Sequence, residues 1–199
     1  TQSSYLQHIN NIMGFLDLIK KIKKVERESR MLILGLDNSG KTTILKKLSD
    51  EDINKTMPTQ GFEIKQLNHE GFRFNVWDVA GQKSFRPHWR NYFDQTDCIM
   101  YAIDCTDRRR IEESSIELMQ LLDEDKLSNV PVLIWANKQD LKNALSADEI
   151  SEEMGLNEIR GRSWQIVECS ARTGDGLQEG LEWVIQQINQ NENESESKS

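Results

Sequence analysis

The sequence predicts an α/β domain: a mostly parallel sheet with helices on both faces and one antiparallel edge strand. Three observations point there. Short apolar runs of strand length alternate along the chain with longer segments whose apolar residues recur at helical spacing. Two segments of period-two pattern, 62–67 and 72–77, flank His69-Glu70-Gly71, the composition of a hairpin turn. A glycine-containing stretch, Gly35 to Thr42, lies between the first strand pattern and the first helix pattern. In open sheets of this kind ligands sit beyond the carboxyl ends of the strands.

The totals agree with one domain. At 199 residues and 37% hydrophobic content, the chain can bury a proper core. A net charge of −8 argues against nucleic acid as the partner. No apolar run reaches the length of a membrane span. Cys98, Cys105 and Cys169 are odd in number and at no metal-ligand spacing, so they read as buried free thiols of a reducing compartment. The expectation is a cytoplasmic monomer.

Taken in order, residues 1–12 precede Met13-Gly14 and read as a non-native or upstream extension. From Gly14 to Lys24, Phe15, Leu18 or Ile19, and Ile22 share one helical face, and Lys20, Lys21, Lys23 and Lys24 fall largely off it. Such a helix can touch a membrane surface reversibly or lie in a groove of its own domain, and the two readings are compatible. Leu18 stands where a myristoylation signal prefers Ser or Thr, so acylation of Gly14 is not expected. Residues 13–28 are thus an amphipathic helix and linker, 29–189 the domain, and 190–199 a disordered acidic tail of Asn, Glu and Ser. Within the domain, strands are predicted at 31–34, 62–67, 72–77, 98–103, 130–136 and 164–169, six in all. Helices are predicted at 43–48, 111–122, 147–154 and 177–188. Arg108-Arg109-Arg110 reads as a solvated helix start.

Gly35-Leu36-Asp37-Asn38-Ser39-Gly40-Lys41-Thr42 has two glycines spaced as in a phosphate-binding loop, then Lys and a hydroxyl residue. The glycines let backbone approach phosphate closely. The loop N–H groups and the positive end of the following helix, which includes Thr43, then face phosphate oxygens. Lys41 can reach the outer phosphates, and the Thr42 hydroxyl can ligate magnesium. After the second hairpin strand comes Asp78-Val79-Ala80-Gly81-Gln82. There Asp78 can hold magnesium through water, the Gly81 N–H can meet a terminal phosphate, and Gln82 can orient an attacking water. Asn137-Lys138-Gln139-Asp140 follows the next-to-last strand. Asp140 can accept both donors of guanine, a pair that adenine lacks, while Lys138 lies along the ring and Asn137 ties the base loop to the phosphate loop. Ser170-Ala171-Arg172 closes the base's other edge, with the Ala171 N–H aimed at the guanine carbonyl. From residue frequencies, the motifs in this order each after a strand have a joint chance below about one in ten thousand. The pattern is therefore taken as a site.

The chain resembles a small GTPase of the Arf-like (Arl) group of the Ras superfamily, most like its type two and type three members. The likeness runs from Met13 to about Asn189. It is carried by Gly-Leu-Asp-Asn-Ser-Gly-Lys-Thr-Thr (35–43), Pro-Thr-Gln-Gly-Phe (58–62), Asn-Val-Trp-Asp-Val-Ala-Gly-Gln (75–82), Arg-Asn-Tyr-Phe (90–93) and Ala-Asn-Lys-Gln-Asp-Leu (136–141). The resemblance implies a P-loop small-GTPase fold that binds GTP or GDP with Mg2+ and hydrolyses GTP, with Gln82 catalytic. It implies that Thr59 joins Thr42 on the metal in the GTP state, that residues 80–93 form switch II, and that effectors read Phe62, Trp77 and Tyr92. Implied partners are an activating protein, an exchange factor and effectors: carriers of lipidated cargo or tubulin cofactors. Implied locations are the cytoplasm, with association to cytoskeleton, cilium or membrane.

One departure stands out. The family has two glycines before the Gln, and here the first is Ala80. The resemblance implies an interswitch hairpin that slides between nucleotide states, and a Cβ at 80 restricts backbone angles. A GTP-binding scaffold that does not toggle is therefore the alternative reading. A P-loop kinase or ATPase is a third, but it would not need Asp140.

Overall fold

A computed structural model of the chain describes residues 28–69 and 71–196. Residues 1–12 and the amphipathic stretch 14–24 lie outside the described residues. Six strands form one sheet in the order β2-β3-β1-β4-β5-β6. The strands are β1 (Glu28–Leu34), β2 (Phe62–His69), β3 (Phe72–Val79), β4 (Cys98–Asp104), β5 (Val132–Asn137) and β6 (Trp164–Glu168). Every pairing is parallel except that of β2 with β3, where the hairpin places β2 antiparallel at the edge. The helices are α1 (Lys41–Leu48), α2 (Ile111–Leu122), α3 (Ala147–Glu153) and α4 (Leu177–Glu196).

Strand alternation divides the core into two layers. Met31 and Ile33 point to the face covered by α1 and α4, where they meet Ile44, Leu45 and α4 side chains such as Leu181 and Val184. Leu32 and Leu34 point to the other face, against Ile111, Leu118 and Leu121 of α2 and Ile150 of α3. Strands β4 and β5 are buried on both faces, which is why they read as continuous apolar runs. Edge strand β2 is mostly exposed and keeps the alternating pattern. Helix α2 buries Ile111, Ser114, Leu118 and Leu121, three and four residues apart. Helix α3 starts on a capping box in which the Ser146 hydroxyl accepts from the Glu149 N–H and the Glu149 carboxylate returns to Ser146.

Two domain boundaries differ from expectation. Glu28 was assigned to the linker, yet it is the first residue of β1, paired with Arg73 across the sheet at 2.9 Å. The segment from 190, expected to be disordered, continues α4 to Glu196. Leu181, Val184, Ile185 and Ile188 anchor that helix in the core. From Leu181 to Glu196 no Gly or Pro interrupts it. Once a helix is nucleated, each added residue gains a hydrogen bond without a new nucleus, so polarity alone does not end it.

The approach of α4 to the sheet depends on Gly180. A Cβ there would lie 2.5 Å from Trp135 Nε1 and 3.0 Å from Leu133 Cδ2. Trp135 is fully buried and has no room to yield. Gly180→Ala gains about 1 kcal/mol of helix propensity, whereas overpacking costs about 1–3 kcal/mol. The expected outcome is a net loss of stability, seen as a lower urea midpoint for the variant. A raised midpoint would show that the helix gives way at this contact.

Candidate functional site

The loop between β1 and α1 is pressed against its neighbours. Gly35 has φ 134°, and a Cβ on it would lie 2.3 Å from the Ala102 carbonyl oxygen of β4. Gly40 has φ 97° and leaves only 2.2 Å between such a Cβ and Asn137 Nδ2. Only glycine fits either place. No side chain caps α1 at Gly40, so its first N–H groups stay available to a ligand.

A cavity of about 420 Å³ opens over this loop, and its walls include Asn38, Lys41, Thr42, Thr59, Gly81 and Gln82. Lys41 is buried, and its Nζ donates to the Gly35 and Leu36 carbonyls at 2.9 and 2.8 Å. Burial draws its pKa down to about 8, against the raising effect of Asp78 and Asp37. An anion in the cavity would hold Lys41 charged. Thr42 Oγ1 donates to Asp78 Oδ2 at 2.6 Å and lies 2.8 Å from Thr59 Oγ1. Thr59 in turn donates to the same Asp78 oxygen at 3.1 Å. Asp78 Oδ1 is buried with no partner among the described residues. Burial raises the Asp78 pKa, while the Thr42 hydroxyl and the Lys41 charge oppose the rise. Two hydroxyls gathered on a buried carboxylate with a free oxygen suit a hard divalent cation such as Mg2+.

Beyond β3 the chain docks on the loop. A Cβ on Gly81 would come within 2.3 Å of the Gly35 carbonyl oxygen and 2.6 Å of the Asp37 nitrogen. The Asp37 N–H donates to the Gly81 carbonyl at 3.1 Å. Ala80 donates to the Gly61 carbonyl at 2.9 Å, and its own carbonyl accepts from Trp89 Nε1 at 2.9 Å. Ala80 does not have a positive φ, so its Cβ meets no backbone strain in this conformation. Gln82 is exposed at the cavity wall.

A second cavity, of about 210 Å³, adjoins the first through Gly40 and Thr43 and is bounded by Asn137, Lys138, Asp140, Ala171 and Arg172. Asn137 donates to the Ser39 carbonyl at 2.8 Å, the expected tie to the phosphate loop. Its Oδ1 accepts from the Ala171 N–H at 3.0 Å. The Ala171 N–H, expected to face the base, is here directed at this buried amide oxygen, which the Cys169 thiol also approaches at 3.7 Å. Asp140 Oδ1 accepts from the Ser170 hydroxyl at 2.7 Å. Ser170 Oγ accepts from the Arg172 and Thr173 N–H groups, which fixes the loop.

The motifs did not reveal three residues that the structure adds. Asp104, at the end of β4, pairs with Lys138 Nζ at 2.6 Å. Its position at a strand's carboxyl end was the available signal. Arg110, expected to be solvated, bonds Asp107 at 2.7 Å and Asp37 at 3.2 Å. Arg86 reaches the same Asp37 from the other side. No sequence spacing announces these contacts.

On the adjoining surface, Phe62, Trp77 and Tyr92 form one cluster, with ring centroids 5.2, 5.3 and 5.8 Å apart. The Arg30 guanidinium lies 4.0 Å from the Trp77 ring centroid and donates to the Tyr92 carbonyl at 3.0 Å. Phe62, Ile64 and Met57 are 47%, 48% and 77% exposed, and Met57 also lines the cavity.

A phosphate loop joined to a base pocket, on this sheet order, defines a small GTPase. The sequence pattern of the ADP-ribosylation factor family matches residues 15–188, and the chain belongs to that family. It is 57% identical over 176 residues to ADP-ribosylation factor-like protein 3 of Chlamydomonas reinhardtii, covering 88% of this chain and 99% of that one. It is 47% identical over 176 residues to ADP-ribosylation factor-like protein 2 of Dictyostelium discoideum, covering 88% and 96%. A solved structure of the Arl6 BBS3 small GTPase from Trypanosoma brucei, with the bound nucleotide analogue GppNp, superposes with a TM-score of 0.77 at 27% identity. It covers 82% of this chain and 98% of its own. The protein is thus an Arl-type small GTPase, a GTP-binding switch that hydrolyses GTP to GDP and takes GTP or GDP with Mg2+. Family members act with effectors, activating proteins and exchange factors. Among the described residues, no helix is long and apolar enough to cross a membrane.

The Asn137 amide joins the phosphate loop at Ser39 to the loop after β6 at Ala171. Asn137→Ala leaves the Ser39 carbonyl and the Ala171 N–H without their partner, at a cost of about 2–4 kcal/mol. The expected result is a lowered melting temperature together with faster loss of bound nucleotide. An unchanged melting temperature would show that water replaces the amide.

Proposed function

We propose that the chain switches on the terminal phosphate of GTP and presents its Phe62–Trp77–Tyr92 surface to effectors in that state. The observation that carries this reading is the meeting of Thr42, Thr59 and Asp78, which closes the segment before β2 over the cavity. Lys41 and the N–H groups left free in the phosphate loop and the first turn of α1 cradle the phosphates. Thr42 and Thr59 would hold the magnesium ion, with Asp78 supporting them. When bound, Mg2+ neutralises charge on the phosphate oxygens. The Gly81 N–H meets the terminal phosphate, and Gln82 orients the water that attacks it. Asp140 accepts the two guanine donors, with Lys138 along the ring and Asn137, Ser170, Ala171 and Arg172 shaping the base loop. Loss of the terminal phosphate frees Thr59 and Gly81, so both switches relax.

The segment Lys55-Thr56-Met57-Pro58 before Thr59 offers no arginine. Intrinsic turnover should therefore be slow, on the order of 10⁻⁴ to 10⁻³ per second, until an activating protein supplies the missing charge. Higher identity to the type three relative than to the type two relative supports effectors that carry lipidated cargo over tubulin cofactors. The exposed apolar side chains Met57, Phe62 and Ile64 suit such a protein partner.

Two variants test the roles. Gln82→Leu should lower single-turnover phosphate release by about tenfold or more while GTP affinity holds, because only positioning is lost. Retained turnover would remove Gln82 from the mechanism. Asp140→Asn should weaken GTP binding by at least about a hundredfold and favour xanthosine nucleotides, since the donor pair on guanine loses its acceptor. Unchanged GTP affinity would sink the base assignment. Effector choice is tested by passing cytosol over the GDP form and over the form loaded with a non-hydrolysable GTP analogue. Cargo carriers retained only by the latter support the reading, and tubulin cofactors in their place would overturn it.

A further inference from the structure

We infer that Arg86 is a positioning residue that locks Gly81 and Gln82 onto the phosphate loop, and so slows the release of GTP without slowing that of GDP. Arg86 opens the 3₁₀ helix Arg86–Tyr92, and its side chain is only 5% exposed. Each nitrogen of the guanidinium is engaged. Nε donates to the Gly81 carbonyl at 2.9 Å. Nη1 donates to Glu113 at 2.8 Å and to Glu117 at 2.9 Å, both on α2. Nη2 faces Asp37 of the phosphate loop at 3.5 Å. Asp37 is held from its other side by Arg110 at 3.2 Å. One buried cation thus joins three parts of the fold: the segment after β3, the phosphate loop and α2.

The arrangement acts on two peptide units. The Gly81 carbonyl, on the unit that carries the Gln82 N–H, accepts from Arg86 and from the Asp37 N–H. The Ala80 carbonyl, on the unit that carries the Gly81 N–H, accepts from Trp89 of the same 3₁₀ helix. Both units are therefore oriented from behind while Gly81 and Gln82 line the cavity. Because Glu113 and Glu117 anchor Arg86 to α2, Gly81 cannot leave the loop without breaking the Nε contact or parting the buried Arg86 from its half-buried carboxylates. Charge-assisted bonds of this kind are the strong ones, and a buried charge left unpaired is costly. The docked arrangement is thus a distinct state, not a continuum. Only a ligand that reaches the Gly81 N–H favours it, and in the proposed function that ligand is the terminal phosphate. The inference rests on that reading for the nucleotide, and on the geometry alone for Arg86.

The test uses the full chain, with dissociation of fluorescent GDP and of a fluorescent non-hydrolysable GTP analogue measured alongside single-turnover hydrolysis. Arg86→Ala should speed release of the GTP analogue by about tenfold or more, as expected for one lost charge-assisted bond. GDP release should change by less than about twofold, because a ligand shifts only the state it distinguishes. Hydrolysis should fall in step with the loss of GTP affinity. Arg86→Lys keeps the charge but not the fork, and should not restore the wild-type ratio. The Glu113→Gln, Glu117→Gln double variant leaves Arg86 in place, tests the same anchor from α2 and should shift the ratio in the same direction. Equal acceleration of both nucleotides, or an unchanged ratio in a folded variant of either kind, would overturn the proposal. Effector capture by the wild-type protein that is the same on GDP and on the GTP analogue would overturn the underlying reading instead, and the two failures are thereby told apart.

Discussion

Close backbone approach at Gly35, Gly40 and Gly81 is the constraint on which the rest of the structure depends. At each, an added Cβ would fall 2.2 to 2.3 Å from a neighbouring atom. The three contacts stack the phosphate loop between β4, the Asn137 amide and the segment after β3. Once the loop is held on three sides, its N–H groups point into one cavity and Lys41, Thr42 and Thr59 converge there. The sheet supplies the frame: β1 and β3 end together, β4 and β5 end together three residues further on, and each delivers its functional residue from its carboxyl end.

Electrostatics then sharpen the site. The chain carries a net charge of −8, yet cations gather around the loop. Lys41, Arg86 and Arg110 lie close to it, balanced by Asp37, Asp78, Glu113 and Glu117. Lys41 is desolvated and spends two donors on loop carbonyls, a makeshift partner set that a phosphate would replace with full charge. Asp78 has the opposite problem, a buried carboxylate with one oxygen unsatisfied. An anion and a cation entering together would relieve both strains.

Much of this was legible in the chain. The six strands and four helices were placed by periodicity, and the boundaries moved by a few residues at most apart from α4. That helix outran its apolar pattern, since helix propagation needs no further burial once the core has anchored it. The site residues on strand ends were legible because each motif joins a short local spacing to a local job. Arg86, Arg110 and Asp104 were not. Their long-range partners lie 27 to 73 residues away in sequence, and a charged side chain carries no mark of whether its partner is water or a distant charged group.

By itself, then, the sequence determined the class of fold, the order of the elements and the chemistry of the loops, because these rest on periodicity and on residue types at short spacing. Tertiary structure decided which backbones touch, which cations are buried and which N–H groups remain free. Ala171 shows the difference: its N–H looked free for a base, and only the folded chain places the Asn137 oxygen 3.0 Å away to claim it. Buried polar atoms take the nearest partner with acceptable geometry, and nearness across a sheet is a property of the fold, not of the spacing along the chain.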